Sequence, residues 1–134
     1  MRKILFRGKR ESDGKWLYGL YTDHSVYGTD FPCIMPLRME KDDGDWAIIS
    51  ETVGQFTGLT DKNGNKIFEG DIVRTKKYGK IVRHCNVNGY DTFKIVYVPA
   101  IFRIENKYRG FNLVGNKTDY EVIGNIHDNP ELIK

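Results

Sequence analysis

Apolar and polar residues alternate along this chain far more often than they recur at helical spacing. In residues 92–98, Phe93, Ile95 and Tyr97 fall on one face; in residues 15–20, Trp16, Tyr18 and Leu20 do. A period of two marks a strand, whose successive side chains point to opposite faces. The alternating runs are short, and turn residues separate them. Ser12-Asp13-Gly14-Lys15 stands between residues 4–10 and 16–21 and predicts an opening hairpin. Asp61-Lys62-Asn63-Gly64-Asn65 and Asn88-Gly89 both carry Asn-Gly, a strong hairpin signal because both residues tolerate positive φ. The second predicts a hairpin of residues 80–85 with 92–98, closed by Pro99. Residues 106–110 turn 101–105 into 111–114. Near the end, Asn129-Pro130-Glu131-Leu132 predicts one helical turn, with Asn129 as cap and Pro130 in the first position.

These elements predict a mainly β protein with little helix and a soft boundary near residue 60. Residues 1–60 form a β-hairpin-rich part. Residues 61–134 hold five or six short strands, the size of an SH3-like small β-barrel. Gly54-Gln55-Phe56-Thr57-Gly58 is expected to bend the chain between the two parts. Residues 28–45, with Pro32, Pro36 and the acidic turn Asp42-Asp43-Gly44-Asp45, read as a long loop or a turn of helix.

Composition narrows the class. Of 134 residues, 40% are hydrophobic and 29% charged, too apolar for disorder and too polar for a membrane protein. Residues 1–10 hold five basic residues but only the apolar run Ile4-Leu5-Phe6, short of the roughly 7–15 residues of a secretory leader. The chain therefore reads as cytoplasmic, with no membrane partner. Cys33 and Cys85 lie far apart without a CxxC and read as free thiols. The charge is uneven: residues 1–60 carry 8 basic against 9 acidic residues, a net of −1, and residues 61–134 carry 13 against 9, a net of +4.

Most candidate chemistry fails on spacing. Asp61-Lys62-Asn63-Gly64-Asn65-Lys66-Ile67 begins like a calcium loop, but Lys66 stands where glycine is needed and Ile72 where a bidentate glutamate is needed. A hairpin turn accounts for the same residues. His24, His84 and His127 have no ligand spacing, and the neighbours His84 and Cys85 point to opposite faces of a strand. A dyad of Cys33 with His84 or His127 stays open, since catalytic partners need not be neighbours in sequence. Gly54 and Gly58 have neither phosphate-loop nor dinucleotide spacing. The reading is a non-enzymatic chain without cofactor, metal or catalytic residues.

One segment points to a ligand. Arg74, Lys76, Lys77, Lys80 and Arg83 include no acidic neighbour between them, and Tyr78 lies among them. A basic surface with an aromatic platform is the footprint of nucleic-acid binding. Arg103, Lys107 and Arg109 are expected near these residues on a folded barrel. The competing explanation is that lysines guard an exposed edge or hairpin tip against unwanted pairing.

Three stretches together resemble the YopX family of phage and prophage proteins. They are Phe6-Arg7-Gly8-Lys9 with Gly14-Lys15-Trp16-Leu17-Tyr18-Gly19; Glu51 through Gly64, continuing from Ile67 to Val73; and Glu121 through Leu132. The resemblance implies a mostly β protein with an SH3-like C-terminal part, acting in the cytoplasm of a bacterial host and self-associating. It implies no activity and supplies no site residues. Within these motifs, Gly70-Asp71 reads as a turn entering a strand, and Gly124-Asn125 as a bulge or close backbone approach. Thr52, Gln55, Thr57 and Asp61 read as groups that satisfy backbone amides and carbonyls. The leading reading is a binding or self-assembling β module with a homo-oligomeric, host or phage protein partner. Nucleic acid is the alternative partner, and an enzyme of unknown class the third reading.

Overall fold

The alternating runs become strands in the computed structural model, which describes residues 4–22, 32–36, 46–76, 90–98, 101–113 and 119–133. Ten strands are present among them: β1 (Phe6–Lys9), β2 (Trp16–Thr22), β3 (Cys33–Pro36), β4 (Gly54–Thr60), β5 (Lys66–Phe68), β6 (Asp71–Thr75), β7 (Asp91–Val98), β8 (Ile101–Glu105), β9 (Gly110–Asn112) and β10 (Glu121–Asn125). Helix among the described residues is confined to short 3-10 turns, including Ser50–Thr52 and Pro130–Ile133. The protein is mainly β. It divides into two compact units, Met1–Phe56 and Thr57–Lys134.

In the first unit β1 and β2 form the opening hairpin, with Phe6 opposite Gly19 and Lys9 opposite Trp16. Its turn is held by the Gly14 amide donating to the Arg10 carbonyl at 2.8 Å and the Lys15 amide donating to Asp13 Oδ1 at 3.0 Å. Leu17, Ile34 and Ile48 make the buried core, with Phe6, Tyr21 and Val53 packed on it. Trp16, Tyr18 and Leu20 do share a face, and it is the outer one: Leu17 between them is buried, while Tyr18 and Leu20 are exposed. The Trp16 ring is covered by Arg7 and Lys9, at 4.7 and 5.7 Å from its centroid. Within residues 28–45, read as loop or helical turn, the chain instead forms strand β3, antiparallel to β2. Cys33 and Ile34 supply the apolar side chains that this strand buries. Two prolines and an acidic turn had hidden it.

β4 is the second departure. The segment expected to bend is an extended strand whose start pairs with β1, Gln55 opposite Phe6. Polar residues in β4 and the turn before it serve the backbone. Thr52 Oγ1 accepts the Lys9 amide at 2.9 Å and donates to the Ile49 carbonyl at 2.6 Å, and Thr57 Oγ1 donates to the Ile67 carbonyl at 2.8 Å. Within the strand Gly58 takes φ +88°, outside the extended region.

In the second unit the strand order is β10-β6-β7-β8-β9, all neighbours antiparallel. Ile67, Val73, Phe93, Ile95, Ile104 and Tyr120 form its core, and Leu59, Phe102, Phe111, Leu113 and Val122 close over it. Neither of the two sheets closes on itself among the described residues. β7 pairs with β6 along Asp91–Lys94 and with β8 along Lys94–Val98. Residues 80–85, expected to partner it, lie outside the described residues.

Carboxylates pin the turns of this unit. Asp61 is fully buried in the β4–β5 turn, where Gly64 takes φ +84°. Its Oδ1 accepts the Asn63 and Asn65 amides at 2.9 and 2.8 Å; its Oδ2 accepts the Val122 amide of β10 at 2.9 Å and the Asn65 side-chain amide at 3.3 Å. Both oxygens of Asp61, the first residue of the calcium-like stretch, are thus taken up by the hairpin and by β10. Asp71 does similar work at the start of β6, accepting the Phe68 amide at 2.7 Å. In β10 the register shifts between Val122 and Gly124, a bulge, and a Cβ at Gly124 would lie 2.5 Å from Asn129 Oδ1. Bulge and close approach both occur there. Asn129 precedes the final 3-10 turn, but its side chain reaches back to accept the Asn125 amide at 3.2 Å.

Candidate functional site

Period two on β6 decides which basic residues reach solvent. Val73 and Thr75 are buried, so Arg74 and Lys76 take the opposite face. β6 is central to this edge of the sheet: Arg74 stands opposite Glu121 of β10, and Thr75 opposite Asp91 of β7. Tyr90, the residue before β7, therefore comes alongside Lys76. The Arg74 guanidinium lies over its ring at 4.8 Å from the centroid and the Lys76 ammonium at 4.6 Å. These are cation–π distances.

A third cation arrives from the β4–β5 turn. The Lys62 amide donates to the Tyr120 carbonyl at 3.0 Å, which sets the turn beside the start of β10. Lys62 Nζ then reaches Glu121 Oε2 at 3.1 Å, while Arg74 Nε donates to the other oxygen, Oε1. Two cations from separate elements thus converge on the two oxygens of one carboxylate. Lys62 is the chief cause that holds the Glu121 carboxyl below the usual range; burial opposes it and Arg74 adds to it. With Asp119 and Tyr120, these residues line an open cleft of about 330 Å³. Cations and a half-buried aromatic ring suit an anionic ligand that also carries a flat ring.

Of the residues that the sequence singled out, Arg74 and Lys76 come together on Tyr90. Lys77, Tyr78, Lys80 and Arg83 lie outside the described residues. The further cations named in sequence are engaged elsewhere: Arg103 with Asn112 Oδ1 at 3.1 Å and Glu105 at 3.9 Å, Lys107 over Tyr108 at 5.1 Å, and Arg109 with the buried Asp91. Lys62, Tyr90, Asp119 and Glu121 escaped sequence reasoning. Tyr90 stands outside the basic run, and only the β6–β7 register brings it to Lys76. The visible signal was the turn residues beside it, which mark a returning strand without saying which strand it meets.

Other candidate chemistry is placed as follows. Cys33 is buried and in no disulfide among the described residues; Cys85, His24 and His84 lie outside the described residues. Among the described residues no group of three or more His, Cys, Asp or Glu side chains stands where it could hold a metal ion. No helix among them is long and apolar enough to cross a membrane.

The fold is similar to that in the crystal structure of protein EF1440 from Enterococcus faecalis, at a TM-score of 0.50 and 24% identity over 100% of both chains. No curated protein matches the chain. The model of the family described as YopX protein matches residues 5–134. The chain therefore belongs to the YopX protein family.

Proposed function

We propose that this protein is a non-enzymatic β module that works by binding, and that its second unit takes a nucleic-acid strand in the cleft of Lys62, Arg74, Lys76, Tyr90 and Glu121. The observation that carries the reading is the stack of Arg74 and Lys76 on Tyr90. Every base has a π-face that a tyrosine can receive, and every nucleotide step brings a phosphate for a nearby cation. The net charge of +4 in residues 61–134 favours the same ligand. The strand order of the second sheet, with its first strand, β6, between its second, β7, and its last, β10, supports reading this unit as an SH3-like small barrel. In keeping with the resemblance, we place its action in the cytoplasm of a phage-bearing bacterium.

The test is equilibrium binding of fluorescein-labelled oligonucleotides, single-stranded and duplex, DNA and RNA, followed by anisotropy at low salt. Tyr90→Ala is expected to weaken binding by about 1–3 kcal/mol, the usual worth of one stacked base. Absence of binding to any of the four probes overturns the reading.

A second reading, self-association, rests on the β7–β8 hairpin. Tyr97, Val98 and Ile101 at its end are each about 45% exposed. Tyr97 also packs, tilted, on Phe102 at 5.1 Å between centroids. An apolar end of this kind pairs readily with a second copy.

A further inference from the structure

Glu121 is in an unusual position for a site that would bind an anion. It occupies the cations that a phosphate needs. Lys62 Nζ lies 3.1 Å from Oε2 and Arg74 Nε donates to Oε1, so both carboxylate oxygens are held, each by a different element of the fold. A phosphodiester presents the same feature: two anionic oxygens that can be taken by two donors. The three groups are not sealed away, since the side chains of Lys62 and Arg74 are 38% and 40% exposed and that of Glu121 19%. The neighbouring cation Lys76 rests on Tyr90, within the same cleft.

Resting on the nucleic-acid reading above, we propose that Glu121 is a built-in phosphate mimic, which a backbone phosphate of a single strand displaces from Lys62 and Arg74 as a base stacks on Tyr90. Exchange of one anion for another leaves both cations paired in the free and the bound protein. The free cleft thereby avoids two uncompensated cations, and weak polyanion contacts are rejected because each must first compete with a carboxylate already in place. Single strands are favoured over duplex because only an unpaired base offers Tyr90 a face while its own phosphate stays within reach of the fork.

The proposal makes Glu121 an inhibitor of binding at the site it lines, which a purely structural ion pair would not be. In anisotropy titrations with a fluorescein-labelled twelve-residue oligothymidylate at low salt, Glu121→Gln is expected to bind roughly tenfold more tightly than the parent protein. Its log-affinity should also fall more steeply with log salt, by about 0.7 for the phosphate contact that the parent makes only after exchange. Glu121→Asp, which keeps the competing charge, should bind no more tightly than the parent. In the parent protein itself, the Arg74 Nε–H resonance should move when the oligothymidylate is added. The proposal is overturned if folded Glu121→Gln binds equally or less tightly, or if the oligonucleotide binds the parent while the Arg74 Nε–H resonance stays in place; the resonance decides even if Glu121→Gln does not fold. Failure of the parent to bind any probe would instead remove the nucleic-acid reading, so the two failures are distinct.

Discussion

The guanidinium of Arg109 is buried against the carboxylate of Asp91, and the rings of Phe93 and Phe111 flank it at 5.8 and 5.7 Å. Asp91 is only 1% exposed, and it begins the strand that carries Phe93 and Ile95 into the core. A buried ion pair of this kind is not a source of great stability over an apolar substitute, but breaking it is costly, because the remaining charge has no water and no partner. Arg109→Met should destabilise the protein by about 3–5 kcal/mol. Asp91→Asn in the same chain should recover part of that loss. Urea unfolding at unchanged m-value checks both; a loss below about 1 kcal/mol for the single variant would contradict this account of the pair.

Asp61 ties stability to pH. Burial pushes its carboxyl up, but the amides of Val122, Asn65 and Asn63 together hold it below the ordinary aspartate value. A carboxyl lowered in the folded state contributes stability that is present above the unfolded value, about 3.9, and is lost as pH falls through the folded value. Asp61→Asn should therefore cost about 2 kcal/mol at neutral pH, through the weakened amide bonds. The gap between variant and parent should narrow as the pH is taken down from about 4 towards 2. Thermal unfolding across that range is the measurement, and a gap independent of pH is the contrary result.

Two glycines separate crowding from backbone strain. A Cβ at Gly19 would stand 1.9 Å from the carbonyl oxygen of Met35, on the strand paired with it, whereas one at Gly14, with φ +75°, would meet nothing within 4 Å. A backbone oxygen cannot rotate away as a side chain can. Gly19→Ala should cost about 3 kcal/mol or more by forcing β2 and β3 apart. Gly14→Ala should cost about 1 kcal/mol, from the positive φ alone. Denaturant midpoints of the two variants should fall in that order.

The hairpin end offers a test of self-association. Tyr97→Lys together with Ile101→Lys places charge on the exposed apolar end without entering the core, which ends inward at Ile95 and Ile104. Light scattering on a sizing column should show the parent as an oligomer and the double variant as a monomer. A parent that elutes as a monomer removes this reading.

How much of this was legible in the sequence depended on the range of the interaction. The opening hairpin, the β4–β5 turn and β7 were readable because local chemistry fixes them: Asp13-Gly14, Asn63-Gly64 and the alternation Phe93, Ile95, Tyr97 act over a few residues. β3 was not, since Cys33-Ile34-Met35-Pro36 has no alternation of its own and becomes a strand through β2. The face of Trp16, Tyr18 and Leu20 was readable as a face, but not as the outer one, because Leu17 and Gly19 look weaker than the aromatics they outrank for burial. The candidate site was half legible. Arg74 and Lys76 stood out as charge; Tyr90 and Glu121 joined them only through pairings across β6, β7 and β10, and Lys62 through the bond of its amide to the Tyr120 carbonyl, none of which a local signal encodes.

The claim that the cleft of the second unit binds a nucleic-acid strand meets its most direct test in a salt titration of single-strand affinity. The parent protein should give a straight line of negative slope in log affinity against log salt, and Lys76→Gln should make that slope shallower by about 0.7, one phosphate contact. A parent line with no slope, or a Lys76→Gln line that coincides with the parent, would contradict it.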